Sequence, residues 1–563
     1  MPNHPRKSYR ADLIAGLTVG VILVPQGMAY ALLAGMPPIY GLYGGLIPLL
    51  IYAIFGSSRR LSIGPVAIDA LLILAGISQL AEPLSAEYVQ LVLLSGLMIG
   101  VFQVMMGLFR LGFLVNFLSH PVVLGFTSAA AVIIAISQLK DLLGIQVPRF
   151  SHIYETARYV YLQIAETNLQ TLAIGVGGII LLLIFTRINK RIPAALITMI
   201  LGILVVRIFD LDKMGIAIIG EVPSGLPGFK SVSGTWADMQ AVLPTVLTVC
   251  FIGIVESISI AKYLESTNRD HTVRPNQELM ALGLSKVVGS FFQAIPTSAS
   301  FTRSAVNNES GAKSQLSAVV SAILIGLTLL FLTPLFFFLP KAILAAVILV
   351  AVRKLFHWKE ALRFWKVYPS DFLMMLTTFV VTLLLGIQEG VLSGVCLSIV
   401  LMVYRSSRPH VAELGMIPGT TQYRNVTRFP DAIQYDDILI LRFDAPLYFG
   451  NAAYFKDTIL RETIKEENLE LVVLDASSMY DLDSTGIDAL IEVIETIRKE
   501  GKTFFVSGAL GPVRDRLHES ELSKLIGPQN QFLNVHQAVQ YFRTSDKEAF
   551  WKNAAIQTNV ENL

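Results

Sequence analysis

Four polar side chains lie inside strongly apolar stretches of this sequence, where they could bind an ion away from water. They are Gln26, Asp69, Glu256 and Arg303. A charged side chain at membrane depth is energetically costly and is usually functional. Arg303 would attract an anion, whereas Glu256 would carry a proton or balance the charge of Arg303. Thr302, next to Arg303, would add a hydroxyl donor. The pattern predicts an anion site.

Each of these residues also has a purely structural interpretation. Arg303 could form an ion pair or extend towards the lipid headgroups, with Glu256 as its partner. Asp69 would lie one turn into a predicted helix, where an acid stabilises the helix dipole. Gln26 would more commonly join helices than contact a ligand, although Tyr30, one turn later, could share such a contact. These alternatives stay open at the level of sequence.

Patterns typical of other chemistry do not occur in the sequence. There is no Ser–His–Asp set, phosphate-binding loop or metal-ligand cluster, so we expect neither an enzyme active site nor a metal or cofactor. Cys250 and Cys396 lie far apart within apolar runs. Two such cysteines predict no disulfide framework.

Two short, irregular membrane segments would position the polar side chains. Residues 61–65 (LSIGP) precede an apolar run of about half a span, and residues 295–300 (IPTSAS) precede the short run FTRSAVN. Non-helical backbone is tolerated in a membrane only where protein or a water-filled cavity satisfies it. Two broken helices in corresponding halves of a chain indicate a midplane binding site. Each short helix would begin near mid-membrane and direct its partial positive charge at the other.

The apolar segments around them are numerous enough for a polytopic membrane protein. Of the 563 residues, 53% are hydrophobic and 15% are charged. A spanning helix needs about 20 mostly apolar residues, which predicts about 14 segments. Their hydropathy order predicts two inverted sets of seven, with a half-helix third in each set. The segments lie near 12–34, 39–55, 66–80, 88–109, 118–138, 169–186, 192–209, 241–262, 279–293, 299–309, 314–333, 341–356, 371–387 and 389–404.

Charge divides the chain into two parts near Arg405. Residues 1–405 carry 28 basic and 19 acidic side chains (+9), whereas residues 406–563 carry 16 and 23 (−7). About 25% of the second part is charged, as in an average soluble domain. The sequence therefore excludes a single soluble globule, a disulfide scaffold and a disordered chain, and nothing favours nucleic-acid binding. We predict a cytoplasmic N-terminus at 1–11, a transport domain at 12–405, a linker at 406–430, an α/β domain at 431–545 and a tail at 546–563.

Basic residues predict the orientation of the chain. Because Lys and Arg favour cytoplasmic loops, an even number of crossings places both termini in the cytoplasm. We expect no cleavable signal peptide, and we favour the plasma (bacterial inner) membrane. The basic run 353–366 predicts an interfacial helix with Trp358, Phe364 and Trp365 among the lipid headgroups. The basic clusters are Arg6, Lys7 and Arg10; Arg59 and Arg60; Arg110; Arg187, Lys190 and Arg191; residues 262–274; residues 353–366; and Arg405.

The second part alternates between strand and helix patterns. Residues 438–443, 469–475 and 502–507 predict strands, and residues 451–467 and 485–500 predict helices. This alternation is typical of an α/β domain. The run DLDSTGIDAL then predicts a loop that caps a helix, with Asp483 or Ser484 as the N-cap residue.

Several long motifs resemble the SulP family of anion transporters, and the resemblance covers essentially the whole chain. The tail resembles a STAS domain, in which the Ser of the DSTG motif can be phosphorylated; here that residue is Ser484. Phosphate at a helix N-terminus is electrostatically tolerated, and a plain helix cap is the alternative. The membrane motifs are PQGMAYALLAGMPPIYGLY at 25–43, FGSSRRLSIGPVA at 55–67 and SFTRSAVNNESGAKSQ at 300–315, followed by PGTTQYRNV at 418–426.

The resemblance implies seven-plus-seven inverted repeats, a core domain rocking against a gate domain, and a homodimer. It implies that Glu256 carries the coupling proton, and we keep Asp69 as a second candidate from its position in the sequence. The chain departs from the family pattern at Thr302, where Ser is common, and at Asp69–Ala70, where apolar residues and Ser are usual. The residues implied to bind the anion are Gln26, Tyr30, Val66, Thr302 and Arg303, and we add Ala67, which follows Val66.

We interpret the chain as a secondary transporter, with proton-coupled sulfate uptake as the first hypothesis. Bicarbonate or chloride transport, coupled to sodium or by exchange, is the second. An anion channel or motor and a membrane-anchored signalling scaffold are further alternatives. An anchor would need neither broken helices nor Arg303, which argues against the scaffold. The expected partners are a small inorganic anion, the lipid bilayer, a second copy of the chain and a cytoplasmic regulator at the STAS domain.

Overall fold

The computed structural model consists of two compact units, and the chain passes from the first to the second between Ser398 and Ile399. It describes residues 6–112, 119–148, 150, 153–188, 193–268, 272–356, 358–465, 468–545 and 547. Parts of our predictions lie outside these ranges, namely residues 1–5 of the N-terminus, the basic residues Lys190 and Arg191, residues 269–271 and most of the tail at 546–563. The exact domain boundaries stay predictions.

All seven segments predicted for the first half coincide with helices. The segment predicted at 39–55 is broken at Gly45 and Leu46, because Pro48 has no N–H to donate to the carbonyl of Gly44. The helices are α1 (Arg6–Leu33), α2 (Pro38–Gly44), α3 (Ile47–Phe55), α4 (Ala67–Ile77), α5 (Ala86–Leu108), α6 (His120–Leu143), α7 (Ile153–Leu162), α8 (Leu169–Ile188) and α9 (Ala194–Ile208).

The second half of the membrane unit also consists of helices, with a short helix after a strand as in the first half. Its helices are α10 (Trp236–Asn268), α11 (Pro275–Phe291), α12 (Phe301–Glu309), α13 (Leu316–Leu327), α14 (Lys341–Val352), α15 (Trp358–Val367), α16 (Pro369–Leu384) and α17 (Ile387–Ser407). Helix α13 continues as a π-helical turn at Thr328–Leu332 and a 3-10 turn at Thr333–Phe336. Within the described ranges, eight helical segments are long and apolar enough to cross a membrane, which confirms a polytopic membrane protein.

The two halves pack against each other reciprocally. Helix α1, the first of its half, packs against α12 and α13, which are third and fourth in the other half. Helix α10, the first of the second half, packs against α4 and α5 in the same way. This exchange is the packing that two inverted repeats related by an in-plane axis produce.

The predicted interfacial helix exists as α15, but its aromatic side chains do not all face outwards. Trp358 and Trp365 are exposed, as expected for side chains among headgroups. Phe364 differs from the prediction because it is buried, with its ring edge-on to His120 at 6.3 Å between centroids.

The second unit contains a six-stranded sheet in the order β4-β3-β5-β6-β7-β8. Strands β5 to β8 are parallel, and the predicted strands correspond to β5, β6 and β7. The strands are β3 (Val411–Met416), β4 (Tyr423–Asn425), β5 (Ile438–Phe443), β6 (Leu471–Asp475), β7 (Thr503–Ser507) and β8 (Gln531–Phe532). The helices are α18 (Ala452–Lys465), α19 (Ser484–Lys499), α20 (Gly511–Glu519), α21 (Leu522–Ile526) and α22 (Val535–Arg543). The remaining strands, β1 (Ile63–Gly64) and β2 (Ser298–Ala299), belong to the membrane unit.

Candidate anion site

A short antiparallel strand pair places the two half-helices. Ile63 of β1 pairs with Ala299 of β2, and the N–H of Ser300 donates to the carbonyl of Ser62 at 3.0 Å. Because the strands run antiparallel, α4 and α12 leave the pair in opposite directions. Their N-termini therefore lie at opposite ends of the strand pair.

The two helix ends differ in how their N–H groups are used. At the start of α12, the Ser300 hydroxyl accepts from the N–H of Arg303 at 3.4 Å. At the start of α4, the N-cap residue is Val66, and no described side chain caps the helix. The N–H groups of the first turn of α4 thus have no acceptor from a capping side chain. They provide partial positive charge next to Val66 and Ala67, which are both buried.

Arg303 is fully buried between these helix ends. Its Nη1 donates to the carbonyl oxygen of Pro65 at 2.9 Å and to Oε1 of Gln26 at 3.3 Å. Its Nε and Nη2 have no hydrogen-bond partner among the described residues. A guanidinium has five N–H donors in a planar fork that matches the oxygen atoms of an anion. One side of this fork therefore carries donors that no described group of the protein satisfies.

The other predicted binding residues differ in how deeply they are buried and in whether they contact Arg303. Gln26 is half-buried and bonded to Arg303, and Tyr30 is buried within electrostatic range of the guanidinium. Thr302 is exposed, although Arg303 is the next residue along the helix. The structure thus gathers Gln26, Tyr30 and the start of α4 around Arg303, while the Thr302 side chain occupies a separate, accessible position.

Glu256 lies on α10 beside the strand pair. The hydroxyl of the next residue, Ser257, accepts from the N–H of Ala299 at 3.1 Å, which ties α10 to β2. Glu256 is half-buried and within electrostatic range of Arg303 and Asp69. Its Oε2 atom is buried and accepts no hydrogen bond from the described part of the chain. The described residues thus leave one oxygen of this acid without a hydrogen-bond donor, within electrostatic range of Arg303.

Asp69 joins the same cluster through β2. Its Oδ2 accepts a hydrogen bond from the hydroxyl of Ser298 at 2.5 Å, across 229 positions of sequence. This bond ties Asp69, which lies in the first turn of α4, to the strand β2. Sequence reasoning overlooked Lys286, which is buried on α11 within electrostatic range of Asp69. The available signal was a single Lys inside the apolar segment predicted at 279–293.

Replacing Gly64 by alanine should destabilise the membrane unit by about 1–3 kcal/mol, because its backbone conformation strongly favours glycine. Gly64 has a φ of +154°, and an added Cβ would lie 3.2 Å from Nη2 of Arg303. We also expect weaker anion binding. Thermal unfolding and anion titration of the purified protein measure both effects. Gly177→Ala in α8 is the matched control, since no described atom lies within 4 Å of its added Cβ. A Gly64→Ala variant as stable as this control would contradict the prediction.

Comparisons with known proteins agree on one family. The model described as "Sulfate permease family" matches residues 9–378, and a STAS domain model matches residues 429–538. Probable sulfate transporter 4.2 of Arabidopsis thaliana is 38% identical over 587 aligned residues, covering 98% of this chain and 86% of that protein. High affinity sulfate transporter 1 of Stylosanthes hamata is 33% identical, covering 95% of this chain and 83% of that protein.

Solved structures show the same fold. The murine solute carrier 26 family member A9 anion transporter, in an inward-facing state, superposes with a TM-score of 0.88 at 24% identity. The match covers 96% of this chain and 92% of that structure. The transmembrane domain of a cyanobacterial bicarbonate transporter, BicA, superposes with a TM-score of 0.62 at 22% identity, covering 69% of this chain and 98% of that domain. The predicted membrane fold with a C-terminal STAS domain is confirmed.

Proposed function

The chain belongs to the sulfate permease family, and on this premise we propose that it imports sulfate together with protons by alternating access. It is a multi-pass membrane protein of a transporter family whose substrate is a small inorganic anion. Two relatives that align with almost all of this chain are named sulfate transporters. Their names are the support for sulfate in particular.

The observation that carries the proposal is the unused side of the Arg303 guanidinium next to the uncapped start of α4. Nε and Nη2 of Arg303 are buried without a partner among the described residues. A buried charged donor without an acceptor is destabilising, and a bound oxyanion would remove that cost. Sulfate would accept from the guanidinium and from the N–H groups that follow Val66, with Gln26 and Tyr30 beside it.

Glu256 is the proposed proton carrier. An inside-negative membrane potential opposes anion entry by about 2.3 kcal/mol per charge per 100 mV. Protonation of Glu256 reduces the negative charge that must enter with sulfate. It also removes a negative charge that competes with the anion for Arg303, because the two side chains lie within electrostatic range. Sulfate and proton therefore favour each other's binding.

We propose further that the chain works as a homodimer in the plasma (bacterial inner) membrane, with both termini in the cytoplasm. The exposed Trp358 and Trp365 of the basic helix α15 support an interfacial position for this helix. In each subunit, a core containing α4 and α12 would move against a gate and expose the site to each side in turn.

Uptake of labelled sulfate into proteoliposomes tests the proposal. An inward proton gradient should drive accumulation of sulfate, and a sodium gradient at equal pH should not. Excess bicarbonate or chloride should compete weakly with sulfate. Sodium-driven uptake, or stronger competition by bicarbonate than by unlabelled sulfate, would contradict the proposal. Saturation of the initial rate with sulfate concentration separates a carrier from a channel.

The STAS domain is the proposed regulator, with Ser484 as its switch. Oδ1 of Asp483 caps α19 by accepting from the N–H of Gly486 at 2.7 Å, so the exposed Ser484 hydroxyl is not the cap.

In the full-length protein, Ser484→Glu should change the transport rate and keep the unfolding temperature of the domain. Asp483→Ala should instead cost about 0.5–2 kcal/mol of stability. The apparent anion affinity should stay within about twofold in both variants. A Ser484→Glu variant with altered stability and an unchanged rate would make Ser484 a structural residue.

A further inference from the structure

A second pair of opposite charges lies buried in the membrane unit, next to Arg303 and Glu256. Asp69 on α4 is 1% exposed, and Lys286 on α11 is 3% exposed. The two side chains lie within electrostatic range of each other. Ionisable residues inside membrane segments are costly to bury and indicate function. The mechanism proposed above uses neither residue.

Hydrogen bonds join this pair to neighbouring residues, but two buried polar atoms of the group remain without a hydrogen-bond partner in the described ranges. Oδ2 of Asp69 accepts from Ser298 of β2, and Nζ of Lys286 donates to Oε1 of Gln103 on α5 at 3.0 Å. Oδ1 of Asp69 and Nε2 of Gln103 are both buried without a partner in the described ranges. Buried polar atoms are nearly always paired, so these two atoms require an explanation. Protonation of Asp69 accounts for Oδ1, because a neutral carboxyl group needs fewer donors than a carboxylate. It does not account for Nε2 of Gln103.

Two neighbouring elements place charged groups within electrostatic range of Asp69, namely Lys286 on α11 and Glu256 on α10. Glu256 lies in turn within electrostatic range of Arg303 on α12. Helix α10 also contributes the buried thiol of Cys250, close to Lys286, and α1 contributes the phenol of Tyr30. With both carboxyl groups ionised, two positive and two negative charges cancel. With both protonated, Arg303 and Lys286 carry two positive charges, equal and opposite to the charge of sulfate.

Resting on the proposed function, we propose that Asp69 is a second proton-binding group, so that each sulfate crosses with two protons. One proton binds Glu256 and the other binds Asp69 on the outer side, and both leave with sulfate on the inner side. The loaded site and the empty site are then both neutral. A net charge within the apolar interior raises the energy of the moving core. The two-proton cycle avoids this cost in both directions of movement.

The coupling ratio of the full-length protein in proteoliposomes tests this inference. With two protons per sulfate, a gradient of one pH unit should sustain about 100-fold accumulation of labelled sulfate at steady state. This accumulation should not change when potassium and valinomycin set different membrane potentials, because no net charge moves. Asp69→Asn should sustain only about tenfold accumulation, and an inside-negative potential should lower it further.

Two further variants separate a specific effect on the coupling ratio from misfolding and from indirect effects of the Asp69→Asn substitution. In Lys286→Gln, Asp69 lacks its counter-charge and should keep its proton throughout the cycle, so the same tenfold, voltage-sensitive accumulation is expected. Glu278→Gln, in the same helix as Lys286, is the control. Its carboxylate is also buried, but it accepts from the hydroxyl of Tyr52 and from Ser57 and Ser58. The coupling ratio of this control should be that of the wild type.

The outcomes separate this inference from the proposed function. Wild-type accumulation of about tenfold per pH unit, or an Asp69→Asn variant with the wild-type ratio, overturns the second proton and leaves proton-coupled sulfate import standing. A wild-type protein that accumulates no sulfate under any pH gradient overturns both. An about 100-fold ratio that falls in Asp69→Asn and Lys286→Gln but not in Glu278→Gln supports the inference.

Discussion

Replacing Arg303 by alanine should weaken sulfate binding by about tenfold or more, because a lost charge-assisted hydrogen bond costs about 1.5–3 kcal/mol. The variant loses the two unpaired donors proposed to hold the anion, Nε and Nη2. It also releases Gln26 and the carbonyl of Pro65, which the guanidinium now joins. Isothermal titration of the purified protein with sulfate measures the affinity, and the thermal unfolding profile shows whether the variant is folded.

Arg303→Lys is the matched control for this experiment. Lysine retains the positive charge but replaces the planar fork with a single ammonium group, so its affinity should lie between those of the wild type and Arg303→Ala. Arg207→Ala, on α9, removes an arginine that instead lies over the Phe338 ring, and it should leave the affinity unchanged. Wild-type sulfate affinity in a folded Arg303→Ala variant would remove Arg303 from the site.

The second large effect is expected for Glu256→Gln. Glutamine keeps the size of the side chain but cannot carry the proton, so the variant should still bind sulfate. Its steady-state accumulation of sulfate under a gradient of one pH unit should fall by about tenfold if Asp69 carries the other proton. The double variant Glu256→Gln/Asp69→Asn should accumulate no sulfate above equilibrium at zero membrane potential. Labelled-sulfate uptake into the same proteoliposomes measures all three proteins.

Two results would contradict this expectation in different ways. A Glu256→Gln variant with wild-type accumulation would show that the coupling proton binds elsewhere. A variant that loses all proton-driven accumulation, while Asp69→Asn behaves as the wild type, would show that Glu256 alone couples transport to protons. Sulfate titration of the same preparations is the control, because an affinity change of tenfold or more would indicate a damaged anion site.

The few polar and charged residues within apolar segments were the most informative feature of the sequence. Arg303 and Glu256 stood out because a charge at membrane depth is rare, and the structure places both beside the predicted helix break. Lys286 carried the same signal in a weaker segment and was overlooked. The residues that complete the cluster, Ser298 and Gln103, are uncharged and resemble ordinary polar residues of membrane helices.

The helix caps show a second limit of sequence patterns, because a pattern does not decide which of two neighbouring residues caps a helix. The sequence allowed either Asp483 or Ser484 to cap α19, and the structure selects Asp483 because its carboxylate accepts from Gly486. Likewise, the sequence predicted the same role for the N-termini of both half-helices. In the structure, the Ser300 hydroxyl accepts from one N–H group at the start of α12, whereas Val66 leaves the start of α4 without a side-chain cap. Such choices depend on backbone angles and side-chain rotamers over a few residues, which composition does not specify.

The sequence by itself determined the membrane and soluble parts, the positions of the helices, the two half-helices and the α/β character of the tail. These properties are local, because hydropathy over about 20 residues and strand or helix periodicity depend only on neighbouring positions. Only the tertiary structure decided that β1 pairs with β2, that Arg303 reaches Gln26 and Pro65, and that Asp69 meets Ser298. Those contacts join residues more than 200 positions apart, and they exist because the packing of the two inverted halves brings the segments together.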